Sequence, residues 1–334
     1  MNSTDRVRVA VVVPCFQVRD QVLSVLARIG PEVARIYVVD DACPESSGEL
    51  VRHRCSDPRV CVMTHAHNRG VGAAVMTGYR QAMADGATVI VKIDGDAQMD
   101  PALIPQFVTP IVMGQADYTK GNRFYHPGGL RAMPMVRLAG NAVLSLAAKL
   151  STGYWNVFDV NNGYTAIHAR VLGRLPSEKI SERFFFETDM LFRLNTIRAV
   201  VVDVPMDAVY ANERSNLRIA RVLFEFCFKH LRNLGKRLAY NYFLRDMTVA
   251  SLQLVSGAAL LMFGAAYGSW HWWEGLQTGH ATPTGTIMLS VLCMILGWQM
   301  LLAFIAFDVS NVPRRPIHPD LPQRDATLAL PPPP

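Results

Sequence analysis

The sequence is poor in charge for its length, and it lacks the patterns that mark several other classes of protein. Only 18% of the 334 residues are Asp, Glu, Lys or Arg, whereas 50% are hydrophobic, a balance too apolar for a purely soluble enzyme. No G-x-G-x-x-G or G-x-x-x-x-G-K-[ST] motif occurs, which excludes a dinucleotide cradle and a P-loop. The six cysteines form no C-x-x-C pair, and we interpret them as reduced thiols rather than a disulfide framework or a zinc site.

Charge is absent altogether from two long segments near the C-terminus. No Asp, Glu, Lys or Arg occurs between Met247 and Trp273 or between Gly275 and Phe307, and each segment exceeds the ~20 apolar residues that cross a bilayer core. We therefore predict two transmembrane helices, at about 247–270 and 286–307. A pair of buried core helices is the alternative, which the length of the segments and their tryptophans disfavour.

Positive charge flanks these two segments but is missing from the loop between them. Arg232, Lys236, Arg237 and Arg245 precede the first segment, and Arg314 and Arg315 follow the second. Because Lys and Arg are retained on the cytoplasmic side, we predict a multi-pass protein of the inner or plasma membrane, with the preceding domain and both termini in the cytoplasm. The first apolar run of the chain is too short for a signal peptide.

The net charge of +6 is gathered in one segment. Eight Lys and Arg lie between Arg214 and Arg245, against one acidic residue, Glu225, and apolar residues recur there at helical spacing. A basic amphipathic helix directly before a transmembrane segment is typical of an anionic membrane surface, so we predict juxtamembrane helices at 214–246 and no nucleic-acid partner. An ordinary solvated helix packed on the preceding domain is the alternative. The Pro-rich tail at 311–334 is predicted to be disordered.

Short Val- and Ile-rich segments alternate with helical patterns over the first 210 residues or so. This alternation predicts an α/β domain with a Rossmann-like, mostly parallel sheet. Ligands of such sheets bind at the carboxyl ends of the strands. The polar motifs P-C-F-Q, D-D, N-R-G-V-G and D-G-D-A-Q follow the first four predicted strands in turn.

The strongest chemical signal is Asp94-Gly95-Asp96, at the end of the fourth predicted strand. Two carboxylates with this spacing can face one divalent cation, whose other ligands are waters and substrate phosphates. Alone the tripeptide is weak, because acidic turns after strands also cap helices, and Asp100-Pro101 looks like such a helix start. A cation at this turn would hold a nucleotide diphosphate, with Asp40 or Asp41 placed to bond the base or ribose.

An ordered set of motifs resembles the family 2 glycosyltransferases with the GT-A fold. The motifs run over residues 7–217 as V-V-V-P-C-F, V-V-D-D-A-C-P-E-S-S-G, N-R-G-V-G-A-A, D-G-D-A-Q-M-D-P, K-G-N-R-F, N-N-G-Y-T-A, E-T-D and Y-A-N-E-R-S-N-L. The arrangement is similar to the polyprenyl-phosphate branch, which includes dolichol-phosphate mannose synthase and bacterial undecaprenyl-phosphate glucosyltransferases. The resemblance implies a GT-A domain at 1–213 and two transmembrane helices within 247–310.

The resemblance also implies roles for individual residues. The nucleotide-sugar pocket would be lined by Pro14, Phe16, Asp40, Asp41, Arg69, Asp94, Gly95 and Asp96. Mg²⁺ or Mn²⁺ would be held by Asp94, Asp96 and Gln98. The acceptor phosphate would lie near Arg123, Arg137, Asn141 and Arg214. Two positions depart from the family pattern, because Val18 replaces a common acidic residue and Asn141 a common serine.

Asp189, in the E-T-D motif, has two interpretations. It aligns with an acidic pair that supplies a catalytic base in relatives with hydroxyl acceptors, or it orders the acceptor loop. Glu187 and Asp189 are also explained as favourable charges at a helix N-terminus. For Arg123 and Arg137 the alternative to a phosphate-binding role is surface solvation.

These expectations combine into one predicted activity. We predict an inverting, metal-dependent transfer of a hexose from a nucleotide sugar to a polyprenyl (undecaprenyl or dolichyl) phosphate at the cytoplasmic membrane face. UDP-glucose is the first expectation for the donor and GDP-mannose the second. Transfer to a saccharide or lipid hydroxyl and a catalytically silent membrane scaffold are the alternatives, and the resemblance implies a homotetramer.

Overall fold

The computed structural model describes residues 7–125, 135–207 and 219–322, apart from the side chains at 135–139, 141 and 219–223. The chain forms two compact units. The hairpin unit is Leu234–Val312, and the sheet unit comprises the chain up to Asn233 together with the residues from Pro313 onwards. The chain therefore leaves the sheet unit once and returns to it.

A seven-stranded sheet forms the centre of the sheet unit. Its strands are β1 (Val9–Cys15), β2 (Val33–Asp40), β3 (Val60–Thr64), β4 (Val89–Lys92), β5 (Tyr118–Asn122), β6 (Thr165–His168) and β7 (Val201–Pro205). The strand order is β3-β2-β1-β4-β6-β5-β7. Within the described chain, β6 is the one strand antiparallel to its neighbours. The prediction of a mostly parallel α/β sheet is confirmed.

Helices connect the strands of this sheet. They are α1 (Val22–Ala27), α2 (Ser47–Arg54), α3 (Val71–Ala84), α4 (Ile104–Val112), α5 (Met135–Thr152), α6 (Ala169–Leu172) and α7 (Phe186–Thr196). Every residue of β1 and β4 is buried, and both strands are rich in Val, as is usual for parallel strands covered on both faces. The one charged residue in these two strands is Lys92, which becomes important at the site.

The helix α8 (Ile219–Ala239) has two different sides in its sheet-unit portion. Phe226 packs edge to face on Phe185, with ring centroids 5.3 Å apart. Phe224, Phe228 and Leu231 are 81%, 63% and 67% exposed, and their i, i+4, i+7 spacing places them on one face. The predicted amphipathic helix therefore packs on the domain and still leaves an apolar stripe uncovered.

Two long helices, α9 (Val249–Thr278) and α10 (Thr284–Ser310), dominate the hairpin unit. Both are long and apolar enough to cross a membrane, with mean hydropathy of 1.7 and 2.2. A side chain at Gly257 would lie 3.0 Å from the carbonyl oxygen of Gly297, so glycine permits the close approach of the two helices. The helices extend beyond the predicted 247–270 and 286–307 at both ends of the hairpin loop.

The last described residues do not behave as expected. We predicted disorder throughout 311–334, but the backbone N–H groups of Ile317 and His318 donate to Asp117 at 3.0 and 2.9 Å. The imidazole of His318 also stacks on His168, with centroids 4.3 Å apart. The prediction is wrong for this stretch because a proline-rich composition does not reveal where backbone N–H groups find a buried acceptor.

Candidate active site

The carboxyl ends of β2, β1 and β4 lie side by side, because β1 pairs in parallel with both neighbours. Pro14 lies near the end of β1, and Phe16 follows it with 42% of its surface exposed. Gly95 lies close to the same strand, since a side chain there would be 3.1 Å from Val18 and 3.5 Å from Cys15. The fold thus brings the first, second and fourth predicted polar motifs to one edge of the sheet.

Asp40 is buried and bonded to backbone. Its carboxylate accepts hydrogen bonds from the N–H of Cys43 at 2.7 Å and of Gly48 at 2.6 Å. Gly48 lies in the first turn of α2, so Asp40 satisfies a helix N-terminal donor that has no partner within the helix. This is a loop-ordering role, and a contact with a nucleotide stays a prediction.

Asp41 orders another loop, also by accepting hydrogen bonds from backbone N–H groups. It accepts from the backbone N–H of Arg69 at 2.9 Å and of Gly70 at 2.7 Å, and it lies 2.7 Å from His65 Nδ1. Gly70 has a φ of +104°, and a Cβ there would lie 2.6 Å from the carbonyl oxygen of Glu182, so glycine is required. The Arg69 guanidinium pairs with the Glu182 carboxylate at 2.6 Å. The N-R-G motif therefore joins the Asp41 loop to the loop before α7.

The Asp94 carboxylate, in the Asp94-Gly95-Asp96 turn, has different partners from those of Asp40 and Asp41. Asp94 Oδ1 is buried and lies 2.9 Å from Lys92 Nζ, while 29% of the Asp94 side chain is exposed. Asp96 Oδ1 accepts from the backbone N–H of Gln98 at 3.1 Å. Gly163 packs against this turn so closely that any Cβ would overlap both Asp94 Oδ2 and Lys92 Nζ. Part of the Asp94 side chain is thus accessible beside a position that must be glycine.

The donor set at this turn suits a divalent cation. Among the described residues no three His, Cys, Asp or Glu side chains converge in a way that could hold a metal. Asp94 and Asp96 would be the carboxylate ligands, since Mg²⁺ usually takes only one or two carboxylates from the protein, with phosphates and water completing its shell. Gln98 is tied to this turn through its backbone N–H. The residues present fit Mg²⁺ or Mn²⁺ held jointly by protein and diphosphate.

Two buried lysines beneath the turn were missed by sequence analysis. Lys92 is 1% exposed and lies 3.1 Å from Glu187 Oε1. Burial alone would lower the pKa of its ammonium, but the carboxylates of Asp94 and Glu187 raise that pKa above its ordinary value. Burial lowers the pKa of Lys120 to about 8, and its ammonium donates to the carbonyl oxygen of Asn162. The sequence held one signal for these two residues, namely a single lysine within each of the segments that form β4 and β5.

Lys92 and Lys120 belong to one row of the sheet. Both pair in register with Thr165, Lys92 from β4 and Lys120 from β5. Residues paired in register on neighbouring strands project to the same face. The carboxylate of Glu187 opposes the effect of burial on the pKa of Lys120, so Glu187 favours the charged form of both ammonium groups.

Asp189 is buried, with 2% of its surface exposed, and both of its carboxylate oxygens accept hydrogen bonds. It accepts from Ser181 N at 2.9 Å, Arg193 Nε at 3.2 Å and Asn233 Nδ2 at 3.3 Å. It also lies, like Glu187, in the first turn of α7, where a negative charge is favourable. These contacts favour the interpretation in which Asp189 orders the acceptor loop over the one in which it acts as a base.

Arg123 is paired within the protein. Its Nε and one terminal nitrogen contact the two oxygens of Asp159 at 2.7 and 2.9 Å, a bidentate geometry that fixes the guanidinium plane. Simple surface solvation, the alternative for this residue, is wrong. The side chains of Arg137 and Asn141 on α5, and the whole of Arg214, lie outside the described residues.

Comparison with known proteins identifies the domain. Residues 10–175 match the glycosyl transferase family 2 model. The chain carries a family 2 glycosyltransferase domain. The protein is therefore a glycosyltransferase, and the resemblance inferred from its motifs is confirmed.

The glycosyltransferase domain has relatives with polyprenyl-phosphate names. An undecaprenyl-phosphate mannosyltransferase of Micrococcus luteus is 28% identical over 206 residues, which are 60% of this chain and 84% of that protein. A polyprenol monophosphomannose synthase of Mycolicibacterium smegmatis is 28% identical over 205 residues, 60% of this chain and 76% of that protein.

A solved structure supports the fold. Glucosyl-3-phosphoglycerate synthase of Mycobacterium tuberculosis, in complex with Mn²⁺, UDP and glucosyl-3-phosphoglycerate, has a TM-score of 0.52 and 19% identity, with 69% of this chain and 79% of that chain covered. At this identity the likeness establishes the GT-A fold of the domain and nothing further about its substrates.

Proposed function

We propose that this glycosyltransferase moves a hexose from a nucleotide sugar to a polyprenyl phosphate at the membrane surface. The observation that carries the proposal is the presence, in one chain, of an accessible Asp94-x-Asp96 turn and two helices of bilayer-crossing length. The apolar stripe of α8 offers a further surface that lipid would cover. The names of the two relatives agree with this acceptor class.

The reaction joins two anionic reactants. A phosphate oxygen of the acceptor bonds to the anomeric carbon as the bond from that carbon to the nucleoside diphosphate breaks, with inversion. No proton has to be removed, because a lipid monophosphate is already ionised at neutral pH. Asp94 and Asp96 would hold Mg²⁺ or Mn²⁺, which when bound neutralises the departing diphosphate. Arg123, Arg137 and Arg214 would align the acceptor phosphate, since guanidinium groups bind phosphate oxygens in fixed geometry.

The contacts of Asp189 argue against a hydroxyl acceptor. A hydroxyl nucleophile needs a base within hydrogen-bond reach, and the two oxygens of Asp189 already accept bonds from Ser181, Arg193 and Asn233. A phosphate acceptor removes this requirement. We therefore retain the lipid phosphate as the acceptor.

The identity of the nucleotide-sugar donor is a separate question from that of the acceptor. UDP-glucose is our first expectation and GDP-mannose the second, whereas both relatives are named for mannose transfer. Their agreement leads us to place GDP-mannose beside UDP-glucose. Base and sugar depend on pocket shape rather than on motif spacing. Both donors must therefore be assayed in parallel.

The deciding experiment uses the full chain purified in detergent. Radiolabelled UDP-glucose and GDP-mannose are offered with polyprenyl phosphate, with the corresponding polyprenol as the matched acceptor lacking phosphate, and with EDTA as the metal control. We expect label in the organic phase only with the phosphorylated lipid and only with Mg²⁺ or Mn²⁺. Label on the polyprenol, or on saccharide alone, would contradict the proposal.

A substitution separates acceptor binding from the metal site. Arg137→Ala should raise the KM for polyprenyl phosphate about tenfold and leave the KM for the nucleotide sugar within about twofold, because one charged contact to phosphate is lost. Equal increases in both constants would contradict this division. Steady-state kinetics with each substrate varied in turn give both values.

A further inference from the structure

A buried cation touches the first carboxylate of the metal-binding turn. Lys92 Nζ lies 2.9 Å from Asp94 Oδ1 and 3.1 Å from Glu187 Oε1, and its side chain is 1% exposed. Moving an ammonium out of water is unfavourable unless partners compensate for the lost hydration. A lysine in this position works against binding of a second cation, so its presence beside Asp94 calls for a reason.

The geometry divides the two oxygens of Asp94. Oδ1 is buried against Lys92, so the exposed 29% of the side chain lies elsewhere on the group. Gly163 leaves no room for a side chain between Oδ2 and the ammonium. Asp94 can therefore offer a ligand one oxygen, Oδ2, while Lys92 holds the other.

Glu187 holds the lysine in turn. It lies in the first turn of α7, shortly after Glu182, which forms an ion pair with Arg69. Its carboxylate contacts Lys92 and is coupled to Lys120. The charge at the turn is therefore set by carboxylates and ammonium groups that include Asp94, Asp96, Glu187 and Lys92.

We propose that Lys92, held by Glu187, is a positioning residue that restricts Asp94 to one-oxygen coordination and partly neutralises the turn, so that a divalent cation is retained only together with a nucleoside diphosphate. This inference rests on the proposed function, in that it concerns the metal and nucleotide of that reaction. The consequence is that free cation binds weakly, and the diphosphate supplies the missing negative charge. Lys92 acts through Asp94 and touches no substrate.

The test measures Mn²⁺ binding by electron paramagnetic resonance, with the full chain in detergent, alone and with UDP or GDP. Lys92→Met removes a positive charge next to the site and should tighten binding of Mn²⁺ alone about tenfold, while reducing the gain from nucleotide. Glu187→Gln removes a negative charge and should weaken Mn²⁺ binding about tenfold. A merely structural ion pair predicts the same direction for both variants, and that outcome would overturn the inference.

Two further variants keep the test decisive if Lys92→Met alone fails to fold. The double variant Lys92→Met/Glu187→Gln removes the opposite charges together and should return the Mn²⁺ affinity to within about threefold of the wild type. Gly163→Ala alters no charge but forces Asp94 and Lys92 apart, and should lose the nucleotide-dependent binding. Gly285→Ala, which adds the same methyl group where nothing lies within 4 Å, should leave binding unchanged.

The outcomes separate this inference from the proposed function. If the wild type transfers sugar to lipid phosphate but Lys92→Met and Glu187→Gln shift Mn²⁺ affinity in the same direction, the positioning role fails alone. If the opposite shifts are seen but no lipid product forms with any donor, the acceptor assignment fails and the positioning role stands. A wild type that binds no Mn²⁺ with UDP or GDP would overturn the positioning role and the metal requirement together.

Discussion

Two acidic loops follow β2 and β4, the strands on either side of β1, and their carboxylates have different partners. After β2, Asp40 and Asp41 are 4% and 3% exposed and accept hydrogen bonds from backbone N–H groups. After β4, Asp94 pairs with a buried lysine through one oxygen and keeps 29% of its side chain exposed. Residues of one type at equivalent places in the sheet thus order loops in one case and remain open to a ligand in the other. The supply of backbone donors around each carboxylate decides which role it has.

The largest effect should come from a substitution in the loop after β4, which contains Asp94 and Asp96. Asp96→Ala removes one of two carboxylates available for Mg²⁺ or Mn²⁺, and we expect about a thousandfold loss of metal-dependent transfer. The melting temperature should change little, because Asp96 is half-buried in a turn and not part of the hydrophobic core. Transfer assays and thermal unfolding of the same preparation check this. Retention of more than a tenth of the activity would place the metal elsewhere.

The second prediction concerns a carboxylate at the opposite end of the sheet, which resembles Asp40 in its contacts. Asp117 is fully buried and accepts from the N–H of Val200, Ile317 and His318. Asp117→Ala leaves these donors without an acceptor and should lower the free energy of unfolding by about 3 kcal/mol. Hydrogen exchange at residues 317–318 should become fast.

The matched control for this variant lies in the same segment. Arg315 and Asp320 form an ion pair whose side chains are 84% and 64% exposed, and such pairs contribute little. Asp320→Ala should therefore leave stability and exchange unchanged. Equal effects of the two substitutions would show that Asp117 is no special anchor for the C-terminal segment.

A smaller loss of stability is expected from a substitution in the loop after β2, where Asp40 accepts hydrogen bonds from the backbone. Asp40→Asn keeps one acceptor oxygen and replaces the other by a donor, so either Cys43 N–H or Gly48 N–H loses its partner. We expect about 1–2 kcal/mol lower stability and an unchanged KM for the nucleotide sugar. A tenfold increase in that KM with unchanged melting temperature would instead support the predicted contact of Asp40 with the nucleotide.

The smallest effect at neutral pH should come from His168, which stacks on His318 and lies near Arg170 and Asp117. Burial lowers the pKa of His168 from 6.5 to about 4. The unfolded chain therefore takes up a proton near pH 6.5 and the folded chain only near pH 4, so stability falls as pH drops through this window, by about 1 kcal/mol per unit. His168→Asn keeps the cap on the Arg170 N–H and should remove that part of the loss. Melting curves at pH 7 and pH 5 would test this, and identical pH dependence in both proteins would contradict it.

Much of the fold was predictable because its signals are local. Apolar periodicity and strand-end motifs lie within a few residues of one another, so the parallel sheet and the Asp94-x-Asp96 turn could be inferred from short stretches of sequence. The Lys92–Glu187 pair joins residues 95 positions apart, and the Asp117–His318 contact joins residues 201 positions apart. No pattern within a single segment of the sequence predicts either contact.

The order of the first four strands and of the helices between them, the two uncharged apolar segments and the family resemblance follow from the amino-acid sequence alone, because each depends on residue types at short, regular spacing. The folded chain decides which carboxylates accept hydrogen bonds from backbone N–H groups, that Glu187 rather than Asp189 contacts Lys92, and that the chain returns to the sheet unit at Pro313. These outcomes depend on burial and on partners brought from distant segments, which are properties of the folded chain. The chemistry of each aspartate is therefore set by its neighbours in space.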